Sequence, residues 1–235
     1  MQYFWGRLSN ETQLIIEGEE SRHLVKSLRK TTGDIVRVID GSGKIYSGQI
    51  NEIKRDKVDL HLLSTENGTR NWMGRIHIAI ALTKRTDRIE WFIEKSVESG
   101  IDELSFIDTQ FAERANIRPE RVSNIIHSAM KQSGNIFSPI VNYNVPFDKI
   151  LEASNSKTIL FTCGENNLRH FRDYLTEPGS YTFLIGPEGD FSPAEILAAK
   201  EKGATIASMG SSRLRTETAG LIALAGFHFA FTPGE

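Results

Sequence analysis

The sequence is poor in cysteine and in long apolar runs, and both shortages limit the classes of protein it can encode. Cys163 is the one cysteine among 235 residues, which excludes an internal disulfide and fits a reducing compartment. No apolar run approaches the length that a membrane-spanning helix needs. The first ten residues contain no basic region followed by an apolar core, so we expect no secretory signal. These features predict a soluble cytoplasmic protein without a membrane partner.

The sequence also lacks a strong net charge and the motifs of several common ligand sites. It carries 28 lysine and arginine residues against 30 aspartate and glutamate residues, for a net charge of −2. Any RNA contact must therefore come from local basic patches. The six histidines show no ligand spacing, so no metal site is expected. Without a G-x-G-x-x-G or Walker A pattern, dinucleotide-binding, P-loop and common Rossmann-type methyltransferase interpretations are disfavoured.

The order of apolar patterns predicts two domains. Residues 1–70 contain short β-type runs and one helix over Glu19–Lys30, and a polar stretch from Ser64 to Gly74 reads as a linker. Residues 71–235 alternate strands with amphipathic helices, which favours a mostly parallel sheet. The predicted fold class is α/β, with a small N-terminal β domain.

The segment "FLIGPEGDFSPAE" (183–195) combines a buried strand, a tight Gly-Pro-Glu-Gly turn and the start of a helix. Ser192 and Glu195 fit a capping box around Pro193, and Phe191 and Ile196 fit a hydrophobic staple. The turn follows the carboxyl end of a strand, where α/β proteins bind ligands. An ordinary βα loop remains the alternative.

Two further strands end in similar loops, "TCGE" (162–165) and "MGSSRLRTETA" (209–219). If the three strands are neighbours in a parallel sheet, these loops line one pocket. Their glycines allow close approach of the backbone to a ligand. A helix over Glu217–Phe231, capped by Thr216 or Thr218, is apolar almost all round, so we expect it to be buried or to form a subunit interface.

Basic residues collect in several places, each of which is either a solvated surface or a phosphate contact. Arg213 and Arg215 have a spacing suited to gripping an oxyanion. The first helix carries Arg22, Lys26 and Lys30 at intervals of four, beside His23 and Arg29. Further basic groups follow the first two strands of the larger domain and favour a polyanionic substrate; they are Lys84, Arg85, Arg88, Arg114, Arg118 and Arg121.

The motifs "LIGPEGDFSPAE" and "MGSSRLRTETA" resemble the two C-terminal cofactor motifs of the RsmE-type ribosomal RNA methyltransferases, in the SPOUT superfamily. "HLVKSLRKTTGD", "KRTDRIEWFIEKSVESGI", "FAERANIRPERV" and "AMKQSGN" fit the other signatures of that family in order. The resemblance covers essentially the full chain. It implies a PUA-like RNA-binding β-barrel over 1–70, a methyltransferase domain with a trefoil knot over 71–235, and a homodimer.

The activity that the resemblance implies is S-adenosylmethionine-dependent methylation of N3 of a uridine in small-subunit (16S) ribosomal RNA, free or within the assembled subunit. A SPOUT methyltransferase acting on another RNA is one alternative. A non-catalytic RNA-binding factor of ribosome assembly is another, although the intact glycines and arginines of all three loops argue against it. A nucleotide-dependent oxidoreductase is the least favoured interpretation.

The resemblance also assigns site residues. For catalysis it favours Arg215 or Arg114 in stabilising negative charge, with Glu188 as a proton acceptor or a partner of the sulfonium. The expected cofactor-binding residues are Thr162, Gly164, Ile185, Gly186, Glu188, Gly189, Met209, Gly210, Leu214, Arg215 and Ala219. The expected RNA-binding residues are Arg22, His23, Lys26, Arg29, Lys30, Arg85, Arg114, Gln132 and Arg213.

Three positions depart from the family pattern. Asp190 stands where a glycine is usual. Lys131 and Asn135 stand where a glutamate and an arginine flank the Gln-Ser-Gly, whose Gln132 and Ser133 match. No role of the missing glutamate or arginine carries over to this chain.

Overall fold

The computed structural model of the chain describes residues 2–112, 117–152 and 156–234. It divides into two compact units. Unit 1 comprises residues up to Thr69 together with Ile126–Ser138, and unit 2 comprises Arg70–Ile125 and Pro139 onwards. Unit 1 is therefore built from two separate stretches of sequence.

Unit 1 is built on a curled six-stranded sheet in the order β1-β4-β5-β6-β3-β2. Every pairing is antiparallel except that of β1 with β4. Alternating apolar residues such as Leu14, Ile16, Val58 and Leu60 point into its core. The strands are β1 (Tyr3–Trp5), β2 (Arg7–Asn10), β3 (Gln13–Glu17), β4 (Ile35–Ile39), β5 (Lys44–Ile53) and β6 (Lys57–Asn67).

The predicted helix over 19–30 is shorter and more irregular in the structure. Helix α1 covers only Gly18–Arg22 and passes into a π-helical turn, His23–Ser27. Lys30 lies beyond this turn, and Arg29 has a positive φ of 53°. The prediction that Arg22, Lys26 and Lys30 share one helical face is therefore wrong. The π turn has more residues per turn than an α-helix, and the helix ends before Lys30.

The second stretch of unit 1 packs on the first through specific contacts. The His127 ring stacks on Trp5 with the centroids 3.7 Å apart. The Lys131 ammonium pairs with the Glu20 carboxylate at 2.6 Å. The Phe137 ring lies so close to Gly43 that a Cβ there would meet it at 2.2 Å. No local sequence pattern indicated this return of the chain.

Unit 2 is a six-stranded sheet in which every pairing is parallel, in the order β12-β10-β11-β7-β8-β9. The predicted α/β class, with a mostly parallel sheet and a small β-rich N-terminal part, is confirmed. The strands are β7 (Arg75–Ala81), β8 (Glu103–Asp108), β9 (Ile140–Pro146), β10 (Lys157–Phe161), β11 (Ser180–Ile185) and β12 (Thr205–Ala207). The helices are α2 (Thr86–Ser99), α3 (Pro119–Ser133), whose second half belongs to unit 1, α4 (Phe147–Glu152), α5 (Pro193–Glu201) and α6 (Thr216–Phe231).

The two faces of the unit 2 sheet are covered by different helices. Helices α2 and α6 pack together, and α6 lies on β7 and β11. The contact is close, since a Cβ on Gly220 would lie 2.6 Å from the Phe92 ring and 3.3 Å from Ile80. On the other face, Ala79 and Leu184 join Phe147 of α4 and Ile196 of α5 in one buried cluster. Both faces are thus apolar near the carboxyl ends of the strands.

The sheet face covered by α4 and α5 is polar near the amino-terminal ends of its strands. His77 Nε2 lies 2.8 Å from Ser105 Oγ, and the Asn142 amide donates to both Ser105 and Glu103. Thr182 continues the network to His77 Nδ1 at 3.4 Å. These groups line an open groove of about 990 Å³. The polar network satisfies side chains that would be costly to bury alone.

The predicted linker is more ordered than its composition suggested. Residues 64–67 extend β6, where they pair with residues 44–47 of β5. Trp72 packs against Gly100 and meets the His228 ring edge-on at 5.1 Å. The Met73 amide donates to the Phe231 carbonyl. The boundary between the two units falls after Thr69, within the predicted linker, but residues 64–67 belong to β6 and Trp72 packs within unit 2.

Several short elements had no clear sequence signal, namely β1, β2, β9 and α4. Strand β9 has the sequence Ile-Val-Asn-Tyr-Asn-Val-Pro and forms a sheet edge, where polar residues replace the apolar run of a central strand.

Over the residues described, no helix has the length and apolar character required to cross a membrane. The knotted chain path implied by the resemblance stays a prediction.

Burial of histidines makes the stability of the fold depend on pH. Burial lowers the pKa of His77, His127 and His228 below the ordinary 6.5. The unfolded chain then binds more protons than the folded chain as pH falls past about 6.5. We expect the free energy of unfolding, measured with urea between about pH 5 and pH 8, to decrease on the acid side.

A single substitution tests this assignment. His228→Gln keeps a donor for the Gly100 carbonyl, which the His228 ring contacts at 2.6 Å, but cannot titrate. The variant should therefore show a shallower acid loss than the wild type. His61→Gln, at an exposed position on β6, is the matched control and should keep the wild-type slope. An unchanged slope in His228→Gln would contradict the prediction.

Candidate active site

Three loops with unusual glycine content lie at one edge of the unit 2 sheet. We call residues 162–165 L1, residues 186–191 L2 and residues 209–215 L3. They follow β10, β11 and β12, which are adjacent and parallel, in the order β12-β10-β11. The prediction that these strands are neighbours is confirmed, and the carboxyl ends of parallel strands meet at one edge, the usual ligand-binding edge of such sheets.

Helix α5 begins after L2 as the sequence predicted. The Ser192 side chain accepts a hydrogen bond from the Glu195 amide, the Glu195 carboxylate accepts from the Ser192 amide, and Pro193 occupies the first turn. Phe191 and Ile196 are both buried, as a hydrophobic staple requires. The other Glu195 oxygen, Oε1, accepts a hydrogen bond from the backbone amide of Gln110 at 2.8 Å. One carboxylate therefore fixes both the helix start and the loop after β8.

The glycines of L2 are needed for space rather than for φ. Neither Gly186 nor Gly189 has a positive φ, whereas Asp190 does, at 66°. A Cβ on Gly186 would lie 3.1 Å from the Phe191 ring, and one on Gly189 would lie 3.1 Å from Phe111. A side chain at either position would press against an aromatic residue, so packing around L2, and not a positive φ, favours glycine there.

L1 and L2 are joined by the side chain of Asp190. Its Oδ2 accepts from the Cys163 amide and from the Thr162 hydroxyl, both at 2.8 Å, and its Oδ1 accepts from the Phe191 amide at 2.8 Å. Thr162 in turn accepts from the Gly164 amide at 2.9 Å. The only sequence signal for this junction was an aspartate directly after the turn.

L3 and the start of α6 are joined to L2 by two bonds. The Thr216 hydroxyl donates to the Gly186 carbonyl at 3.0 Å, and the Arg213 guanidinium donates to the Glu188 carbonyl at 3.3 Å. Helix α6 begins at Thr216, and Arg215 is its N-cap residue without a side-chain cap bond. The predicted caps Thr216 and Thr218 are therefore wrong: Thr216 ties α6 to L2, and Thr218 lies within the first turn.

The other residues expected to bind cofactor lie along the same loops. Ile185 is buried at the end of β11, and Thr162 is buried at the end of β10. Gly164, Gly189 and Gly210 are exposed and present backbone from each of the three loops. Of these, Gly210 has a φ of 110°, which favours glycine.

The remaining predicted cofactor-binding side chains differ in exposure. Three are half-buried, namely Met209, Leu214 and Ala219, and two are exposed, namely Glu188 and Arg215. Arg114, the alternative to Arg215, lies outside the described residues.

The basic side chains after β7 are held by acids. The Asp87 carboxylate accepts hydrogen bonds from both Nε and Nη2 of Arg85, at 2.9 and 2.8 Å. Arg88 lies 3.8 Å from Glu217, which is buried in the first turn of α6. An exposed pair such as Arg85–Asp87 opens at small cost, so it leaves Arg85 able to reach a phosphate.

The expected RNA contacts of unit 1 fall into two groups. Arg22 pairs with Asp56 at 2.9 Å, and Lys26 and Arg29 are exposed nearby in sequence. His23 and Gln132, which are far apart in the chain, line one cavity of about 510 Å³. Its remaining lining residues are Gln2, Tyr3, Glu20, Ser128 and Lys131. No group of metal-ligating side chains occurs within the described ranges.

The structure is that of an α/β protein with three glycine-containing loops at the carboxyl edge of a parallel sheet, together with a small β-rich unit. A family model described as "RNA methyltransferase domain" matches residues 70–228, and one described as "RNA methyltransferase PUA domain" matches residues 16–63. The first match covers more than half of the chain. The chain therefore belongs to the RNA methyltransferase family.

Individual relatives agree with this assignment. A probable rRNA-methyltransferase from Porphyromonas gingivalis is 33% identical, with 98% of each chain covered and a TM-score of 0.91. A putative methyltransferase from Legionella pneumophila, solved in complex with the cofactor SAM, is 26% identical over 97% of this chain and 96% of that one, with a TM-score of 0.83. The ribosomal RNA small subunit methyltransferase E of Rickettsia conorii is 25% identical over 95% of this chain and 92% of its own.

The double duty of Glu195 generates a test. Ser192→Ala removes both bonds of the Ser192 hydroxyl, to the Glu195 amide and to the Glu195 carboxylate, and should lower the free energy of unfolding by about 1 kcal/mol, measured with urea. Glu195→Ala should do the same and also release the Gln110 amide. Hydrogen exchange at Gln110 should then be faster in Glu195→Ala than in Ser192→Ala. Equal exchange rates in the two variants would show that the Gln110 contact is not what holds this loop.

Proposed function

We propose that the protein transfers the methyl group of S-adenosylmethionine to N3 of a uridine in small-subunit ribosomal RNA. The observation that carries the proposal is the convergence of L1, L2 and L3 at adjacent parallel strand ends, in a chain of the RNA methyltransferase family. The bound cofactor of the Legionella relative and the name of the Rickettsia relative supply the cofactor and the RNA class.

The loop residues fit this cofactor. Gly164, Gly189 and Gly210 are exposed, so one stretch of glycine backbone per loop is open to a ligand. Backbone amides and carbonyls are suited to the polar edge of an adenine and to the methionine end. The bonds from Thr216 and Arg213 to the backbone of L2 hold these segments together. The cofactor supplies an activated methyl group, so the protein has chiefly to align the uridine nitrogen with it.

The chemistry at uridine defines what the side chains must do. The N3–H proton leaves, the N3–CH₃ bond forms as the sulfur–CH₃ bond breaks, and the sulfur keeps the electron pair. Loss of the proton spreads negative charge to the neighbouring carbonyl oxygens, which an arginine stabilises. Arg215 lies exposed at the end of L3 and is the described candidate for this role. Glu188, exposed in L2, is the candidate proton acceptor.

Unit 1 is proposed to hold the RNA. Its matched PUA segment, 16–63, contains the basic residues Arg22, Lys26, Arg29 and Lys30. Phosphate contacts from such residues position a nucleic acid without reading its sequence. His23 and Gln132 add hydrogen-bonding side chains around one cavity. The target uridine must be unpaired or turned out of its stack to reach the methyl group.

Product analysis tests the function directly. The protein is incubated with S-adenosylmethionine and small ribosomal subunits from a strain lacking the gene, and the nucleosides are identified by mass spectrometry. We expect one new 3-methyluridine. Methylation only of another RNA or another base would replace the proposal with the alternative SPOUT target, and RNA binding without any methyl transfer would favour a non-catalytic assembly factor.

Gly186 tests the cofactor site. Gly186→Val places a branched side chain against Phe191, where even a Cβ would lie 3.1 Å away, so L2 must shift. Calorimetry should show that binding of S-adenosylmethionine is lost. Gly179→Val is the matched control, since a Cβ there meets nothing within 4 Å, and it should keep the affinity. Wild-type affinity in Gly186→Val would remove L2 from the site.

Arg215 tests the catalytic assignment. Arg215→Ala should lower the single-turnover rate about 10²–10³-fold, because its proposed contact forms with charge that develops in the transition state. Cofactor affinity should change little. Arg172→Ala, an exposed arginine on the 3-10 turn Phe171–Tyr174, is the control. A nearly normal rate would exclude Arg215 and leave Arg114 as the candidate.

We also propose a homodimer formed through α6. The inner side of this helix is buried through Ala223, Leu224 and Phe227, whereas Ile222 and Phe229 are 37% and 90% exposed. An exposed phenylalanine beside further apolar residues is typical of an interface.

Light scattering should detect a dimer that Phe229→Glu converts to monomer, because a charge would be buried at the contact. Leu197→Glu is the control, since Leu197 is 57% exposed on α5, outside the proposed interface. The control should leave the dimer intact. A stable, active wild-type monomer at micromolar concentration would contradict the proposal.

A further inference from the structure

Asp190 adopts a backbone conformation that requires support. Its φ of 66° lies in the left-handed region, which most side chains avoid and which aspartate and asparagine tolerate better than other non-glycine residues. The residue closes the turn of L2, where its amide donates to the Pro187 carbonyl at 3.0 Å. A residue held in this region persists only where surrounding contacts determine it.

Those contacts come from the Asp190 carboxylate. Oδ1 accepts from the Phe191 amide, on the same loop, at 2.8 Å. Oδ2 accepts from the Cys163 amide and the Thr162 hydroxyl, on L1, each at 2.8 Å. Both carboxylate oxygens are therefore used, and they join the ends of β10 and β11. Hydrogen bonds to an ionised acceptor are among the stronger ones in proteins.

The connection reaches the glycine of L1. The Thr162 hydroxyl donates to Asp190 and accepts from the Gly164 amide at 2.9 Å. A Cβ on Gly164 would lie 3.3 Å from Thr162 Oγ1 and 3.7 Å from Asp190 Oδ2. The position of the Gly164 backbone therefore depends on this pair of side chains.

We propose that Asp190 is a positioning residue that sets the separation of L1 and L2 before the cofactor binds. The proposal rests on the proposed function, in which these loops hold S-adenosylmethionine. Loops already fixed in the bound arrangement lose less conformational freedom on binding, which increases affinity. Its effect therefore falls on cofactor affinity, and the chemical step at saturating cofactor is left largely unchanged.

Two substitutions at Asp190 separate the carboxylate from the backbone. Asp190→Asn keeps the shape but offers one acceptor oxygen, so an amide nitrogen faces either the L1 donors or the Phe191 amide. Asp190→Gly relieves the backbone conformation and removes every side-chain bond. Each should raise the Kd for S-adenosylmethionine, and the KM for it, about tenfold. The kcat at saturating cofactor should stay within about twofold of wild type.

Thr162 provides the second half of the test. Thr162→Val should weaken cofactor binding as Asp190→Asn does, and the double variant should lose little more than either single variant, because both break one connection. Thr162→Ser restores the hydroxyl that Thr162→Val lacks, so it should recover the affinity lost in Thr162→Val. Asp148→Asn, at an exposed position on α4, is the matched control and should bind normally.

The outcomes distinguish this inference from the function on which it rests. If the wild type neither binds S-adenosylmethionine nor methylates RNA, the proposed function fails. If the wild type binds and Asp190→Asn and Asp190→Gly bind equally well, the positioning role is overturned. Additive losses in the double variant, or an effect on kcat alone, would overturn it as well. The melting temperature of each variant is measured as well, and a value close to that of the wild type shows that a loss of affinity does not come from unfolding.

Discussion

The parallel pairing of β10 with both β11 and β12 is the constraint on which the rest of unit 2 depends. The register pairs Phe161 with Ile185 and with Ala207, so the three strands end at the same level. Three loops that are distant in sequence are thereby brought to one edge. Because the strands are short, their ladder alone does not decide how the loops are arranged beyond the last paired residue.

That arrangement depends on a few polar bonds between loops. Asp190 and Thr162 join L1 to L2, and Thr216 and Arg213 join L3 to L2. The bonds from Thr216 and Arg213 both end on backbone carbonyls of L2, those of Gly186 and Glu188. The buried Phe191 ring lies behind L2, and a Cβ on Gly186 would lie only 3.1 Å from it.

The face of the unit 2 sheet that α4 and α5 cover is apolar near the carboxyl ends of the strands and polar near their amino ends. Near the carboxyl ends, α4 and α5 bury the second face in an apolar cluster that supports the loops. Near the amino ends the same face carries His77, Asn142 and Thr182 in a hydrogen-bonded network beside an open groove. Burial of apolar area therefore stabilises the end of the sheet from which L1, L2 and L3 extend.

The sequence by itself determined the class of fold, the strands of the core and the start of α5, since those depend on local periodicity and on the Ser192–Glu195 cap. It also identified the three loops and, through resemblance, the family. Only the tertiary structure decided that Thr216 binds Gly186 instead of capping α6, that Ser64–Gly74 is anchored, and that residues 126–138 join unit 1. Each of these depends on a partner far away in the chain, and local patterns carry no information about such partners.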